Sequence, residues 1–179
     1  LSIITIPDGV SYIGNRVFEG CSSLTFIKIP NSVINIGGGV FCDCEALESV
    51  ELSENITSLE EYFLDYFDDC AGFFEKCSSL RSIIIPDSII KIGNKAFAEC
   101  ISLESIVIPN SVKEIGGGVF YGCKKLKTIT LLDNITTFEH YIRCGGYCGF
   151  FEGCSSLVSI TIPKSINDND NNQPLLFFN

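Results

Sequence analysis

The chain has 179 residues, 46% of them hydrophobic and 19% charged, with a formal net charge of −10. That is one domain's worth of sequence with ample apolar material for a continuous core, which excludes wholesale disorder. The acidic balance excludes the basic footprint that nucleic acid or an anionic membrane surface requires, and no apolar run reaches the roughly 20 residues needed to span a bilayer.

Read from the N-terminus, the chain falls into register on its cysteines. Residues 1–20 are a unit lacking its first three positions, and residues 21–43 form a complete unit of 23 residues, CSSLTFIKIPNSVINIGGGVFCD. Residues 44–76 form a long unit of 33. Residues 77–99 and 100–122 return to 23, residues 123–153 form a second long unit of 31, and residues 154–166 are the first half of another. Cys21, Cys44 and Cys77 recur at Cys100, Cys123 and Cys154, with offsets of 79, 79 and 77, so a three-coil block containing one long coil was duplicated. Residues 167–179, NDNDNNQPLLFFN, abandon the repeat and read as a flexible Asn/Asp-rich tail. The chain has no Met and begins inside a repeat, which reads as a piece of a longer array with any targeting signal upstream.

The shared unit is C-x-x-L-x-x-I-x-I-P-x-S-V-x-x-I-G-x-x-x-F-x-x. Its L-x-x-I-x-I stretch has the β-branched residues and period of a strand, and Pro ends it because Pro has no N–H for a ladder. The V-x-x-I-G stretch runs along the opposite side, and Gly37 to Gly39 and Gly116 to Gly118 suit tight turns. Phe18, Phe41, Phe74, Phe97, Phe120 and Phe151 are expected to stack as a spine. No unit buries its apolar face alone, so the units stack, with strands about 4.8 Å apart. At Leu24, Ile27, Ile29, Pro30, Ser32, Val33, Ile36, Gly37, Phe41 and their equivalents, the chain resembles the BspA-like leucine-rich repeats of bacterial and protist surface proteins. The resemblance covers residues 1–166. It implies a mainly β, right-handed solenoid of about seven coils, two with long insertions and a parallel sheet on one face. It also implies adhesion or protein binding, at the cell surface or outside the cell, with no catalytic residue, cofactor or metal. The alternative is a cytoplasmic scaffold that uses the same surfaces. The partner is expected to be a protein, with no nucleic acid and no membrane insertion by this segment, and the sequence leaves the oligomeric state open. The long units depart from the pattern, with Ser53 or Leu132 in place of Pro and Glu60 or Glu139 in place of Gly.

Two surfaces are candidates for function. On the sheet face, alternation points Phe26, Lys28, Glu51, Ile84, Val107 and Thr130 outward among rows of small hydroxyls. This is either a weakly polar docking face or a ladder that only solubilises the sheet. The insertions are more distinctive. Residues 60–73, EEYFLDYFDDCAGF, place Tyr62/Phe63 and Tyr66/Phe67 at helical i,i+4 spacing beside Asp68 and Asp69, which predicts a short amphipathic helix flanked by acids. Residues 139–150, EHYIRCGGYCGF, carry Tyr141 and Tyr147. Aromatics in such loops either anchor a partner or fold back to cap the flank. The loops lie three coils apart, about 14 Å at strand spacing, close enough to form one shared patch.

The in-register cysteines are expected to be a reduced, buried ladder, since free Cys packs as a small hydrophobe. Cys42 is off-register, and Cys70, Cys144 and Cys148 are candidates for a disulfide, either local between Cys144 and Cys148 or from Cys70 to one of them. Their spacing with His140 is not that of a zinc site, and His140 has no nucleophile placed beside it. Asn55-Ile56-Thr57 and Asn134-Ile135-Thr136 are glycosylation sequons at equivalent places in the duplicated block.

Overall fold

The structure is a computed structural model and describes residues 2–64, 69–131, 134–138, 142–143, 146–147 and 149–161. Each unit is one coil of a β-solenoid of about six turns, with no helix among the described residues. The front of each coil is the L-x-x-I-x-I stretch. Ile3–Thr5, Phe26–Lys28 and Ser49–Glu51 pair in parallel and in register, Ile4 against Ile27 and Ile27 against Val50. Ser105–Val107, Thr128–Thr130 and Ser159–Thr161 form a second parallel sheet of the same register. Between the two sheets lies the equivalent segment, residues 82–84, which forms no strand.

The opposite side carries shorter ladders of two residues per coil. Tyr12–Ile13 pairs with Asn35–Ile36. Ser58–Leu59, Lys91–Ile92, Glu114–Ile115 and Thr137–Phe138 form a separate parallel ladder. Proline closes the front segment of the regular coils, and its carbonyl accepts from the amide three residues on, as in Val33 N to Pro30 O at 2.9 Å and Val112 N to Pro109 O at 3.1 Å.

The core is one continuous column. Leu24, Leu47, Leu80, Leu103 and Leu126 are fully buried, one per coil. The six phenylalanines stack as the repeat predicts, with centroids 5.4 to 5.8 Å apart and planes within 15°. Each such pair contributes about 0.5–1.5 kcal/mol beyond the area it buries. The cysteine ladder runs beside them. The thiols of Cys44, Cys77, Cys100, Cys123 and Cys154 each donate to the carbonyl of the spine phenylalanine in an earlier coil, for example Cys77 Sγ to Phe41 O at 3.2 Å. Burial pushes the Cys44 thiol up to about 12 and the Cys154 thiol to about 11, and it holds Cys77, Cys100 and Cys123 well above the usual thiol range. These groups are neutral donors, not nucleophiles.

One backbone rule recurs in every coil. The residue before the ladder cysteine is left-handed: Gly20, Asp43, Lys76, Glu99, Gly122 and Gly153 have φ between 58° and 79°. Three of the six are glycine, which takes this conformation at no steric cost.

Candidate functional site: the front face and the insertions

On the front, the ladder alternation exposes the residues expected from the repeat. Lys28, Glu51, Ile84 and Val107 are exposed, and Phe26 and Thr130 are half-buried. Ile84 is 85% exposed, unusual for an isoleucine. Lys28 Nζ lies 2.9 Å from the Glu51 carboxylate one coil on, and this carboxylate raises the lysine pKa. A second row, four of its six residues charged, was not singled out in the sequence. It is the residue after each core leucine: Thr25, Glu48, Arg81, Glu104, Lys127 and Val158. Lys127 donates to Glu104 at 2.8 Å and holds its carboxyl below the usual range. The available signal was the residue one before the alternating pair, where opposite charges recur at 23-residue spacing. At the end of the front segments a groove of about 420 Å³ runs across the first four coils, lined by Asp8, by Lys28 to Asn31, by Val50, Glu51, Leu52 and Glu54, and by Ile84 and Pro86.

The first insertion carries an antiparallel strand pair, and Tyr62–Leu64 is strand where the start of an amphipathic helix was expected. Tyr62–Leu64 pairs antiparallel with Asp69–Ala71, with Tyr62 opposite Ala71 and Phe63 opposite Cys70. The physical reason is return. The chain leaves the flank after Leu59 and must re-enter it at Gly72. An antiparallel pair brings it back to its point of departure, whereas a helix would carry its end away at about 1.5 Å per residue. The second insertion does the same in miniature, with Ile142–Arg143 antiparallel to Gly146–Tyr147. Tyr66, Phe67, Asp68, Tyr141, Cys144, Cys148 and the tail 167–179 lie outside the described residues, as do the side chains of Asp69, Cys70 and Tyr147.

The described aromatics of the first insertion divide into two roles. Phe63 is 60% exposed at the hairpin. Tyr62 lies under the Arg16 guanidinium at 5.5 Å, a cation–π contact across two coils. Arg16 is itself held by Glu19 at 2.6 Å, a bond that raises the arginine pKa. Phe73 is core: it is fully buried and packs edge-on against Phe74 at 4.9 Å. Phe150, its counterpart in the second insertion, is 4% exposed and meets Phe138 at 5.4 Å.

Carboxylates fasten the base of each hairpin. Gly72 N donates to Glu75 Oε2 at 2.9 Å, and in the duplicated block Gly149 N donates to Glu152 Oε2 at 3.3 Å. Glu75 also faces Lys95 Nζ at 3.5 Å, with both residues buried. Glu61 takes the place of the second turn glycine. Its carboxylate accepts from the Asn94 main-chain and side-chain N–H groups at 3.1 and 2.7 Å, and Asn94 Oδ1 in turn accepts from Gly117 N at 2.7 Å. Gly93 leaves room for this carboxylate, since a Cβ there would collide with it and displace it from Asn94. Glu19, Cys42 and Asp43 bring ligand-type atoms within 4.8 Å of one another. Arg16 and Lys76 already face the two carboxylates, and burial first, then Glu75 and Asp43, keep the Cys42 thiol protonated. The sequon asparagines have a structural job: Asn55 and Asn134 donate to the main-chain carbonyls of Asn31 and Asn110 in the preceding coil. Among the described residues, no helix is long and apolar enough to cross a membrane.

The comparisons agree with this architecture. The family model of the BspA type leucine rich repeat region matches residues 1–71 and 70–173, in six copies. Among solved structures, a leucine-rich repeat protein of T. pallidum is 32% identical, with a TM-score of 0.72, over 91% of this chain and 71% of that one. A leucine-rich repeat protein of Bacteroides ovatus is 30% identical with a TM-score of 0.75, and a leucine-rich cell surface protein of Faecalibacterium prausnitzii is 28% identical with a TM-score of 0.51. The chain is covered at 100% and 89% in these two, and it spans 42% and 31% of their lengths. No protein of curated function matches the chain.

Proposed function

Because the chain belongs to the BspA-type leucine-rich repeat family, we propose that it is a non-catalytic protein-binding module of a cell-surface or secreted protein. In this reading it adheres to proteins of a host or neighbouring cell through its insertion hairpins and its front sheet. Leucine-rich repeat arrays are generally non-enzymatic, and extended repeat surfaces serve binding. One relative of the same fold is described as a cell surface protein. The observation that carries the reading is Phe63. A large aromatic, 60% exposed, stands on a hairpin whose base is fixed by Glu75, Lys95 and the Glu61–Asn94 pair. A rigid base with an exposed aromatic tip is how interface anchors are built.

The test is adhesion of beads coated with the chain to cultured cells, before and after mild proteolysis of the cell surface. Binding should be lost on proteolysis, and Tyr62→Ser/Phe63→Ser should weaken it at least tenfold with an unchanged circular dichroism spectrum. Binding indifferent to both manipulations would sink the proposal. The second reading, an intracellular scaffold, draws on the ladder of free, buried thiols. Mass spectrometry of native material separates the two: a disulfide among Cys70, Cys144 and Cys148, or a glycan on Asn55 or Asn134, supports the surface reading, and ten free thiols with no glycan support the scaffold.

A further inference from the structure

The two long coils are copies of one another, yet their front edges carry opposite charge. The first presents Glu45 and Glu48, and 79 residues on the second presents Lys124 and Lys127 at the equivalent places. All four are exposed, as are Arg81 and Glu104 on the two coils between them. The row after the core leucines therefore reads Glu48, Arg81, Glu104, Lys127, one residue per coil and alternating in sign. Lys127 pairs with Glu104 within the chain at 2.8 Å. Glu45, Glu48, Arg81 and Lys124 have no ion pair among the described residues. The coils keep single-strand spacing where the front ladder is interrupted, since Ser79 N donates to Glu45 O there at 3.1 Å. Glu48 and Lys127 thus lie three coil steps apart, about 14 Å.

Taken in reverse order, that row is its own complement. Consider a two-fold axis parallel to the strands, midway between the coils of Arg81 and Glu104. It sets one front face on another with the coil order reversed, so each outward row meets the same row of a second copy. Glu48 then faces the second copy's Lys127, Arg81 faces its Glu104 and Glu45 faces its Lys124, and each contact occurs twice because the interface is isologous. At the centre Ile84 faces Val107, two apolar side chains that are 85% and 60% exposed in the single chain. Beside them Ser82 faces Ser105, small residues that let the faces approach. No like charges meet in these rows. An axis along the solenoid would keep the coil order instead and set Glu48 against the second copy's Glu51, a like-charge contact that selects against that arrangement.

We propose that the front face is a self-association surface, which pairs two copies of this chain face to face with their coils in opposite order. The charges at the two long coils fix the alignment, and Ile84 and Val107 give the contact its apolar centre. Complementary charges supply register and selectivity more than affinity, so the dimer is salt-sensitive and of modest strength. This goes beyond the adhesion reading. In the dimer the front sheets are covered, and the adhesive role falls to the hairpins, which leave their coils after the back ladder.

Sedimentation equilibrium of the full 179-residue chain tests it. The chain should dimerise at low salt, and at least tenfold more weakly at about 0.5 M salt. Glu45→Lys/Glu48→Lys makes both long coils positive, and Lys124→Glu/Lys127→Glu makes both negative. Each variant alone should dimerise at least tenfold more weakly than the parent, with an unchanged circular dichroism spectrum. An equimolar mixture of the two should recover the parent's strength, because every end again meets its opposite. Ile84→Asp should weaken the parent dimer by a similar factor. A chain that stays monomeric at low salt, a dimer indifferent to either reversal, or a mixture no stronger than its components would each overturn the proposal. Tyr62→Ser/Phe63→Ser, the change that should abolish adhesion, should leave the dimer intact, so the two readings fail separately.

Discussion

The two long coils are copies of one design, yet they sit differently in the stack. Both insert a hairpin after the same flank position, and both return through a glycine whose N–H is held by a glutamate, Glu75 or Glu152. The second long coil keeps its ladders: Thr128–Thr130 pairs on both sides and Thr137–Phe138 pairs with Glu114–Ile115. The first loses one ladder on each side. Its back strand, Ser58–Leu59, pairs only with Lys91–Ile92, and its front strand, Ser49–Glu51, pairs only with Phe26–Lys28. The phenylalanine spine and the thiol ladder cross both coils without interruption. The coils are therefore held by what stacks in the core, and the strand ladder is the part that can open.

The largest test of that conclusion removes the stack where the ladder is already open. Phe74→Ala should cost about 3–5 kcal/mol, the usual range for a buried aromatic. Because nearest-neighbour interfaces hold a solenoid together, unfolding in urea should also split into two transitions, one for each side of the opening. Phe120→Ala, under an intact ladder, should cost a similar amount with a single transition. Two transitions for both variants, or one for both, would mean that the ladder opening has no energetic consequence.

Next in size is the fastening of the first hairpin. Lys95→Met leaves the Glu75 carboxylate buried without its facing cation, which costs about 3 kcal/mol. Glu152 is less buried than Glu75, so Glu152→Gln should cost about 1 kcal/mol or less, the scale of a single hydrogen bond. Equal losses would show that the two hairpins are anchored alike after all.

Much of this was legible in the residues. Leu, Ile, Phe and Cys recur at fixed spacing, and each must face the same way in every unit for the stacked units to bury it, so the solenoid, its register and its spine follow from periodicity. The hairpin at Tyr62 was not legible, because Tyr62/Phe63 and Tyr66/Phe67 satisfy a helical spacing just as well. What decides is that the chain must return to Gly72, a constraint of the closed coil and not of the local sequence. Phe73 was hidden for a related reason: by sequence it belongs to the insertion, and by position it is already back in the core. The open ladder gave no local signal at all, since Ser82, Ile83 and Ile84 match the pattern of Ser105, Ile106 and Val107 residue for residue.

The thiols give a smaller, pH-dependent test of the same stack. A buried thiol keeps its proton in the folded chain, while in the unfolded chain it ionises near its ordinary value of 9. Above that pH the unfolded state binds fewer protons, so stability is complete below about pH 9 and falls as pH rises. The contribution of Cys154 should be lost between about pH 9 and its folded value of about 11, at roughly 1.4 kcal/mol per pH unit. Cys77, held well above its ordinary value, should go on losing stability beyond that. Urea midpoints from pH 8 to 11 should therefore decline less steeply in Cys154→Ala and in Cys77→Ala, with only the Cys77 difference still growing at the upper end.

The smallest effect separates backbone strain from core stacking. Glu99 occupies the left-handed position before Cys100 with φ of 58°, whereas Gly122 takes the equivalent position before Cys123 with φ of 70°. A glutamate there bears the crowding of its Cβ against its own carbonyl, which glycine avoids. Glu99→Gly relieves that strain and also frees the unfolded chain, two terms of opposite sign. For a residue held at positive φ the relief is the larger, so a net gain of about 0.5–1 kcal/mol is expected. The reverse change, Gly122→Glu, should lose a similar amount and should leave the spine untouched, because the coil closes through Cys123 and Phe120 and not through the side chain at that corner. A loss at Glu99→Gly would mean that its side chain, and not its backbone, is what the stack uses.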